Sequence, residues 1–217
     1  MTDIHLPEIR ARFGADPGTA TRAVILVHGR GDSAEGILGL APYLRQEGTA
    51  FVAPEAADNV WYPETFMAPP EANEPYLSSA LNVIGGIVAE LTAAGIPPER
   101  TVLLGFSQGA CLVSEYAARS PRRYGGVAVL SGGLFGAPGE LPAHAGSLAD
   151  TPVFVGCSDV DFYIPVERVR ETAAAFKSMK ADVTERIYPG FGHSVNVDEI
   201  EQVNAILDGL SNEGVSR

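Results

Sequence analysis

Unbroken apolar runs alternate along the chain with stripes of helical period. Ala23 to Val27 is continuously apolar, as expected of a strand buried on both faces of a parallel sheet. Ser33 is placed to cap a following helix, with Ile37, Ala41 and Leu44 as its apolar positions and Gly48 as its end. Phe51-Val52-Ala53 is a short second strand, closed by Pro54, which cannot continue a ladder. From Ser78 or Ser79 a helix is predicted, its stripe running through Leu77, Leu81, Ile84, Val88 and Leu91 and stopped by Gly95 and Pro97-Pro98. A third run from Thr101 to Leu104 leads through Ser107 into helical spacing at Gly109, Leu112, Val113, Tyr116 and Ala117. Gly126 to Leu130 and Pro152 to Gly156 read as strands. Pro165 opens a helix with Val166, Val169, Ala173 and Phe176 inward. Asp182 to Tyr188 alternates as the last strand, and Ile200, Val203, Leu207 and Leu210 mark the last helix. Strands alternating with helices predict an α/β fold with a mainly parallel sheet covered on both faces.

Three stretches lack periodicity. Residues 1–22 leave room for one short edge strand without placing it. Residues 55–77 hold Trp61-Tyr62, Phe66-Met67 and Asn73-Glu74-Pro75, and a loop of this length inside a domain points to a substrate-side role. Residues 131–151 are rich in Gly, Pro and Ala and too weakly patterned for a helical lid. The tail from Ser211 to Arg217 is expected to fray.

Composition narrows the picture. With 217 residues, 46% of them hydrophobic, the chain suits one α/β domain spanning 1–217. The 15 basic and 27 acidic residues leave a formal charge of −12, which disfavours nucleic acid or anionic membrane as a partner. The first twelve residues carry no apolar signal region and no run reaches the length of a spanning helix, so no membrane span is expected. Cys111 and Cys157 lack a metal spacing and read as reduced thiols of a cytoplasmic protein. His5, His28, His144 and His193 are scattered, so neither metal nor other cofactor is expected.

The chemistry lies where strands end, the edge at which open α/β sheets bind ligands. Gly105-Phe106-Ser107-Gln108-Gly109 is a Gly-x-Ser-x-Gly between strand and helix, the setting of a nucleophile elbow. A serine hydroxyl needs a base, and the base needs a carboxylate to hold its tautomer. His193 and an aspartate after the 152–156 strand supply both in the order Ser, Asp, His. Asp159 and Asp161 stand two residues apart and pattern alone does not choose between them. The oxyanion requires two donors. One is the Gln108 amide at a helix N-terminus; the other is assigned to the Arg30 amide in His28-Gly29-Arg30-Gly31-Asp32. His28 suits a structural hydrogen bond better than catalysis.

Together His28-Gly29-Arg30-Gly31-Asp32, Gly105-Phe106-Ser107-Gln108-Gly109, Asp161-x-x-Ile164-Pro165 and Gly192-His193 resemble the phospholipase/carboxylesterase family of α/β-hydrolases, which includes acyl-protein thioesterases and small bacterial carboxylesterases. The resemblance spans about residues 23–210. It implies the α/β-hydrolase fold and a catalytic Ser107, Asp161 and His193. The aspartate is chosen because in that family it precedes an apolar-Pro pair by three residues. The segment from Trp61-Tyr62 to Ser79 resembles the bacterial branch. Dienelactone hydrolases proper use cysteine where this chain has Ser107. Arg30 departs from the apolar residue common in the family, and its side chain is either a surface group or a selector of anionic or polar acyl chains at the pocket mouth.

The expected activity is that of a serine hydrolase acting on small-molecule carboxylic esters of small or medium acyl length. A thioesterase or lysophospholipase, or a non-catalytic binding protein on the same fold, are the alternatives. Trp61, Tyr62, Phe66, Phe135, Phe162, Tyr163 and Phe191 are the candidate pocket residues.

Overall fold

A computed structural model describes residues 4–6 and 8–212. Among these residues seven strands form one sheet: β1 (Ala11–Gly14), β2 (Arg22–Val27), β3 (Thr49–Ala53), β4 (Thr101–Phe106), β5 (Gly126–Leu130), β6 (Pro152–Ser158) and β7 (Asp182–Tyr188), in the order β1-β3-β2-β4-β5-β6-β7. All neighbours are parallel except β1, which runs antiparallel along β3. This is the α/β-hydrolase architecture expected from the sequence.

Among the described residues, five helices cover the sheet: α1 (Ala34–Leu38), α2 (Tyr76–Ala93), α3 (Gln108–Arg119), α4 (Val166–Ser178) and α5 (Val197–Asn212). The pleat sorts β2 between two cores. Ala23, Ile25 and Val27 pack with α2, α3 and α4, whereas Val24 and Leu26 pack with α1 and α5. Between apolar partners on both faces the stretch from Ala23 to Val27 must be apolar at every position, which is why that run is unbroken.

The differences from the sequence reading have local causes. The first helix is only five residues long, although Ser33 does cap it through the Gly36 amide. Gly39 and Pro42 prevent its continuation, and Ala41–Tyr43 forms a separate 3-10 turn. The edge strand of the N-terminal region is Ala11–Gly14; its intermediate-to-exposed burial leaves no apolar alternation to read. The 55–77 stretch contains 3-10 turns at Ala57–Asn59 and Pro70–Asn73, and α2 begins at Tyr76, earlier than the serines suggested. Ser211 and Asn212 continue α5, while the rest of the expected frayed tail lies outside the described residues. Helix α2 is long and apolar enough, by length and composition alone, to cross a membrane, contrary to the expectation that no run would qualify. Its Leu77, Ala80, Val83, Ile84, Ile87, Val88 and Leu91 are buried in the core, so its apolar face is already committed.

The chain adds β3 on one side of β2 and then crosses to β4 on the other, making β2/β4 the switch point. Val27 pairs with Gly105 and Phe106 with Leu130, while Ser158 pairs with Tyr188. The loops after β2, β4, β6 and β7 therefore leave from one edge.

Candidate active site

Ser107 sits between β4 and α3 at φ 55°, ψ −118°. A non-glycine residue held there stores about 1–3 kcal/mol of strain, sustained by Ser107 N–H donating to the Leu130 carbonyl and its own carbonyl accepting from Cys111 N–H. The flanking glycines are steric necessities. A Cβ on Gly105 would lie 2.3 Å from the Gly109 carbonyl oxygen, and one on Gly109 only 2.0 Å from that of Val27.

His193 lies in the turn between β7 and α5. Gly192, at φ 84°, is in the left-handed region and gives its N–H to Ser158 Oγ at 2.9 Å. Gly190 N–H donates to Asp159 Oδ1 at 2.7 Å. Behind the turn, Asn196 and Glu199 cap α5 reciprocally: Glu199 N–H donates to Asn196 Oδ1 and Asn196 N–H to Glu199 Oε2. Burial pushes the Glu199 carboxyl up to about 7.

The three side chains meet in a line. His193 Nε2 lies 2.9 Å from Ser107 Oγ, and His193 Nδ1 lies 2.6 Å from Asp161 Oδ2. A carboxylate can only accept, so Nδ1 carries the proton and the Nε2 lone pair faces the hydroxyl. Asp161 Oδ1 accepts from the N–H groups of Tyr163 and Ile164 at 2.8 and 3.1 Å. Burial by itself raises the Asp161 carboxyl, but the bonds from His193, Tyr163 and Ile164 and the electrostatic attraction to His193 outweigh it and hold the group below the ordinary carboxylate range. Cys157 Sγ also points at Asp161 Oδ2, at 3.6 Å; burial and then the Asp161 charge push this thiol up to about 12, so it stays protonated.

Asp159, the competing carboxylate, is instead the acceptor that shapes the histidine turn. Asp161→Asn should therefore lower kcat by about 10⁴-fold, because the amide can present N–H to the imidazole and favour the wrong tautomer. Asp159→Asn keeps an oxygen for Gly190 and should cost less than tenfold. Parallel kcat measurements on one ester check the pair, and equal losses would remove Asp161 from its role.

The Gln108 amide opens α3, and Arg30 lies in the turn after β2. Among the described residues, neither backbone N–H donates to a protein acceptor. A Cβ on Gly29 would stand 3.3 Å from Ser107 Cβ, which shows how closely that turn approaches the serine. Both residues line, with Ser107 and His193, a cavity of about 540 Å³.

Of the aromatics expected at the pocket, Tyr62, Phe66 and Tyr163 line it. Trp61 does not: it is fully buried, its Nε1–H donates to the His28 carbonyl, and its ring packs on His5 and His28. Phe135 is buried behind the wall, its ring centroid 4.8 Å from that of Tyr62. Phe162 is 94% exposed and Phe191 also faces solvent; neither lines the cavity. Residues not anticipated there include Phe106, Cys111 and Ile164. Cys111 follows Ser107 by one helical turn, a spacing already present in the sequence.

His28 is structural, as expected: Nδ1–H donates to the Gly29 carbonyl and Nε2 accepts from Ala56 N–H. His5 does the same for the loop, donating from Nε2 to the Trp61 carbonyl and accepting Ala57 N–H at Nδ1. Burial lowers the pKa of both rings. Among the described residues, no three His, Cys, Asp or Glu side chains gather as metal ligands would.

Residues 14–211 match the model of a family described as phospholipase/carboxylesterase. The chain is 31% identical to acyl-protein thioesterase 1 of Kluyveromyces lactis, over 93% of this chain and 96% of that protein. It is 28% identical to the Saccharomyces cerevisiae protein of the same name, over 90% and 96%. Among solved structures, a phospholipase/carboxylesterase from Dyadobacter fermentans shares 42% identity at a TM-score of 0.89, covering 94% of this chain and 97% of that one.

Proposed function

The chain belongs to the phospholipase/carboxylesterase family of esterase and thioesterase hydrolases, and we propose that it is a serine hydrolase cleaving carboxylic esters of small or medium acyl length through an acyl-enzyme. The observation that carries this reading is the relay with 2.9 and 2.6 Å separations at the sheet edge. Ser107 Oγ attacks the ester carbonyl as its proton passes to His193 Nε2. Asp161 stabilises the imidazolium, and the amides of Arg30 and Gln108 receive the oxyanion. His193 then protonates the departing alcohol. Water, deprotonated by the same ring, hydrolyses the acyl-serine and restores the hydroxyl.

The acyl-length preference is supported by the open cavity. Among the described residues, the 131–151 connection carries only the Ala137–Glu140 bridge, and no helix in it forms a lid. The names of the yeast relatives favour a second reading, an acyl thioesterase, with the same relay releasing a thiol. The two unpaired buried cysteines support a cytoplasmic site of action.

A fluorophosphonate should label the native protein and fail to label Ser107→Ala; an unlabelled native protein would favour a binding protein on this fold. A p-nitrophenyl ester series from acetate to palmitate, beside matched thioesters, should show highest kcat/KM on short esters. A maximum on long-chain thioesters would replace the first reading with the second.

A further inference from the structure

Arg30 is exposed, yet its guanidinium is committed in an uncommon way. Nη2 donates toward three successive carbonyl oxygens, those of Tyr62, Pro63 and Glu64, at 2.8, 3.0 and 3.2 Å. Carbonyl dipoles converging on one point repel each other, and a cationic donor at that point turns repulsion into attraction. The same stretch is gripped from beneath by Gln108. Its side-chain Oε1 accepts from Trp61 N–H at 2.9 Å, and its Nε2 donates to the Tyr62 carbonyl at 2.8 Å. The Tyr62 carbonyl thus takes bonds from the side chains of both residues whose amides are proposed as the oxyanion donors. The turn itself has a second tie, Gly31 N–H to the Asn59 carbonyl and Asn59 Nδ2 to that of Asp32.

Resting on the serine-hydrolase reading, we propose that Arg30 is a positioning residue: its guanidinium latches residues 62–64, so that the acyl-pocket wall and the oxyanion donor on the Arg30 backbone are set together. With the latch made, the glycine-flanked turn is held at its side chain as well as at Gly31 and Asp32, and Tyr62 and Phe66 keep the wall closed against the nucleophile. The alternative role, a receptor for a carboxylate on the acyl chain, is disfavoured by the lining itself. Asp32 and Glu64 border the same cavity and would oppose an anionic chain that approached the partly committed guanidinium.

Two variants separate these roles. Arg30→Met keeps length and removes every donor. Arg30→Lys places one ammonium, whose three N–H groups suit three carbonyls meeting at a point but cannot reproduce a bidentate carboxylate contact. With p-nitrophenyl acetate and butyrate, Arg30→Met should lose about tenfold to a hundredfold in kcat, with a smaller rise in KM, because the donor is displaced rather than deleted. Amide hydrogen exchange across 61–66 should quicken at nearly unchanged Tm, and Arg30→Lys should recover most of both. Wild-type kcat in Arg30→Met with unchanged loop exchange would overturn the latch. A loss confined to p-nitrophenyl hemisuccinate in both variants would assign the side chain to substrate charge instead and equally overturn it. Fluorophosphonate labelling of the native protein, run alongside, reports on the serine reading separately.

Discussion

His193→Ala should lower kcat by at least about 10⁴-fold while moving the melting temperature by only a few degrees. In the proposed relay the imidazole, its Nε2 2.9 Å from Ser107 Oγ, accepts the hydroxyl proton and returns it to the leaving group. Without it the hydroxyl keeps its ordinary weak nucleophilicity, and only binding and the oxyanion donors remain to accelerate the reaction. The fold loses little. The ring is partly exposed and sits on a turn, with the rings of Phe106 and Tyr163 each 4.9 Å away. Asp161 retains its bonds from the Tyr163 and Ile164 amides, so its buried carboxylate is not orphaned. Ester turnover and urea unfolding of the same preparation check both halves. Activity within tenfold of wild type would show that another group is the base.

The second large effect is on stability. Gly109→Ala should cost about 3–5 kcal/mol. The added methyl would lie 2.0 Å from the Val27 carbonyl oxygen and 2.7 Å from that of His28. Both are backbone atoms, so no side-chain rotation relieves the clash. α3 must lift from β2, or the β2–β4 ladder must part where Val27 pairs with Gly105. Gly209→Ala makes the same chemical change on α5, at an exposed position where, among the described residues, nothing lies within 4 Å of the new methyl. It should be neutral or stabilising by up to about 1 kcal/mol, through helix propensity alone. Urea midpoints of the two variants against wild type test the contrast. A Gly109→Ala protein as stable as Gly209→Ala would mean that the elbow is not as tightly closed as described.

These two results bear on different layers of legibility. The central strands were readable because burial on both faces forces every residue of β2, β4 and β5 to be apolar or glycine, or an isolated buried polar group at a strand end such as Thr101. β1 was not, because an edge strand lying partly in solvent has no such constraint. The first helix was overextended because apolar spacing continued through Gly39 and Pro42, whose backbone effects override periodicity.

Within the candidate site, residue types and order sufficed to nominate Ser107, His193 and an aspartate after β6, since strand ends in a parallel sheet gather at one edge whatever the loops do; pattern left Asp159 and Asp161 open, and only the family resemblance pointed to Asp161. The loops are different. Trp61, Phe135 and Phe162 are all aromatic residues on loops near that edge. One is a strut under the 61–66 loop, one the backing of the pocket wall, and one exposed to solvent. Periodicity has no purchase on such positions, because a loop side chain's direction is set by contacts from distant segments: His5, His28 and Gln108 on Trp61, and Arg30 on the carbonyls that follow it. The amino-acid sequence alone determined the central strands of the sheet, the elbow and the chemical types at its rim, through burial and local sterics. Which aromatics face the cavity, which aspartate bonds the histidine and what the Arg30 side chain grips were decided only when the folded chain brought those partners within hydrogen-bonding reach.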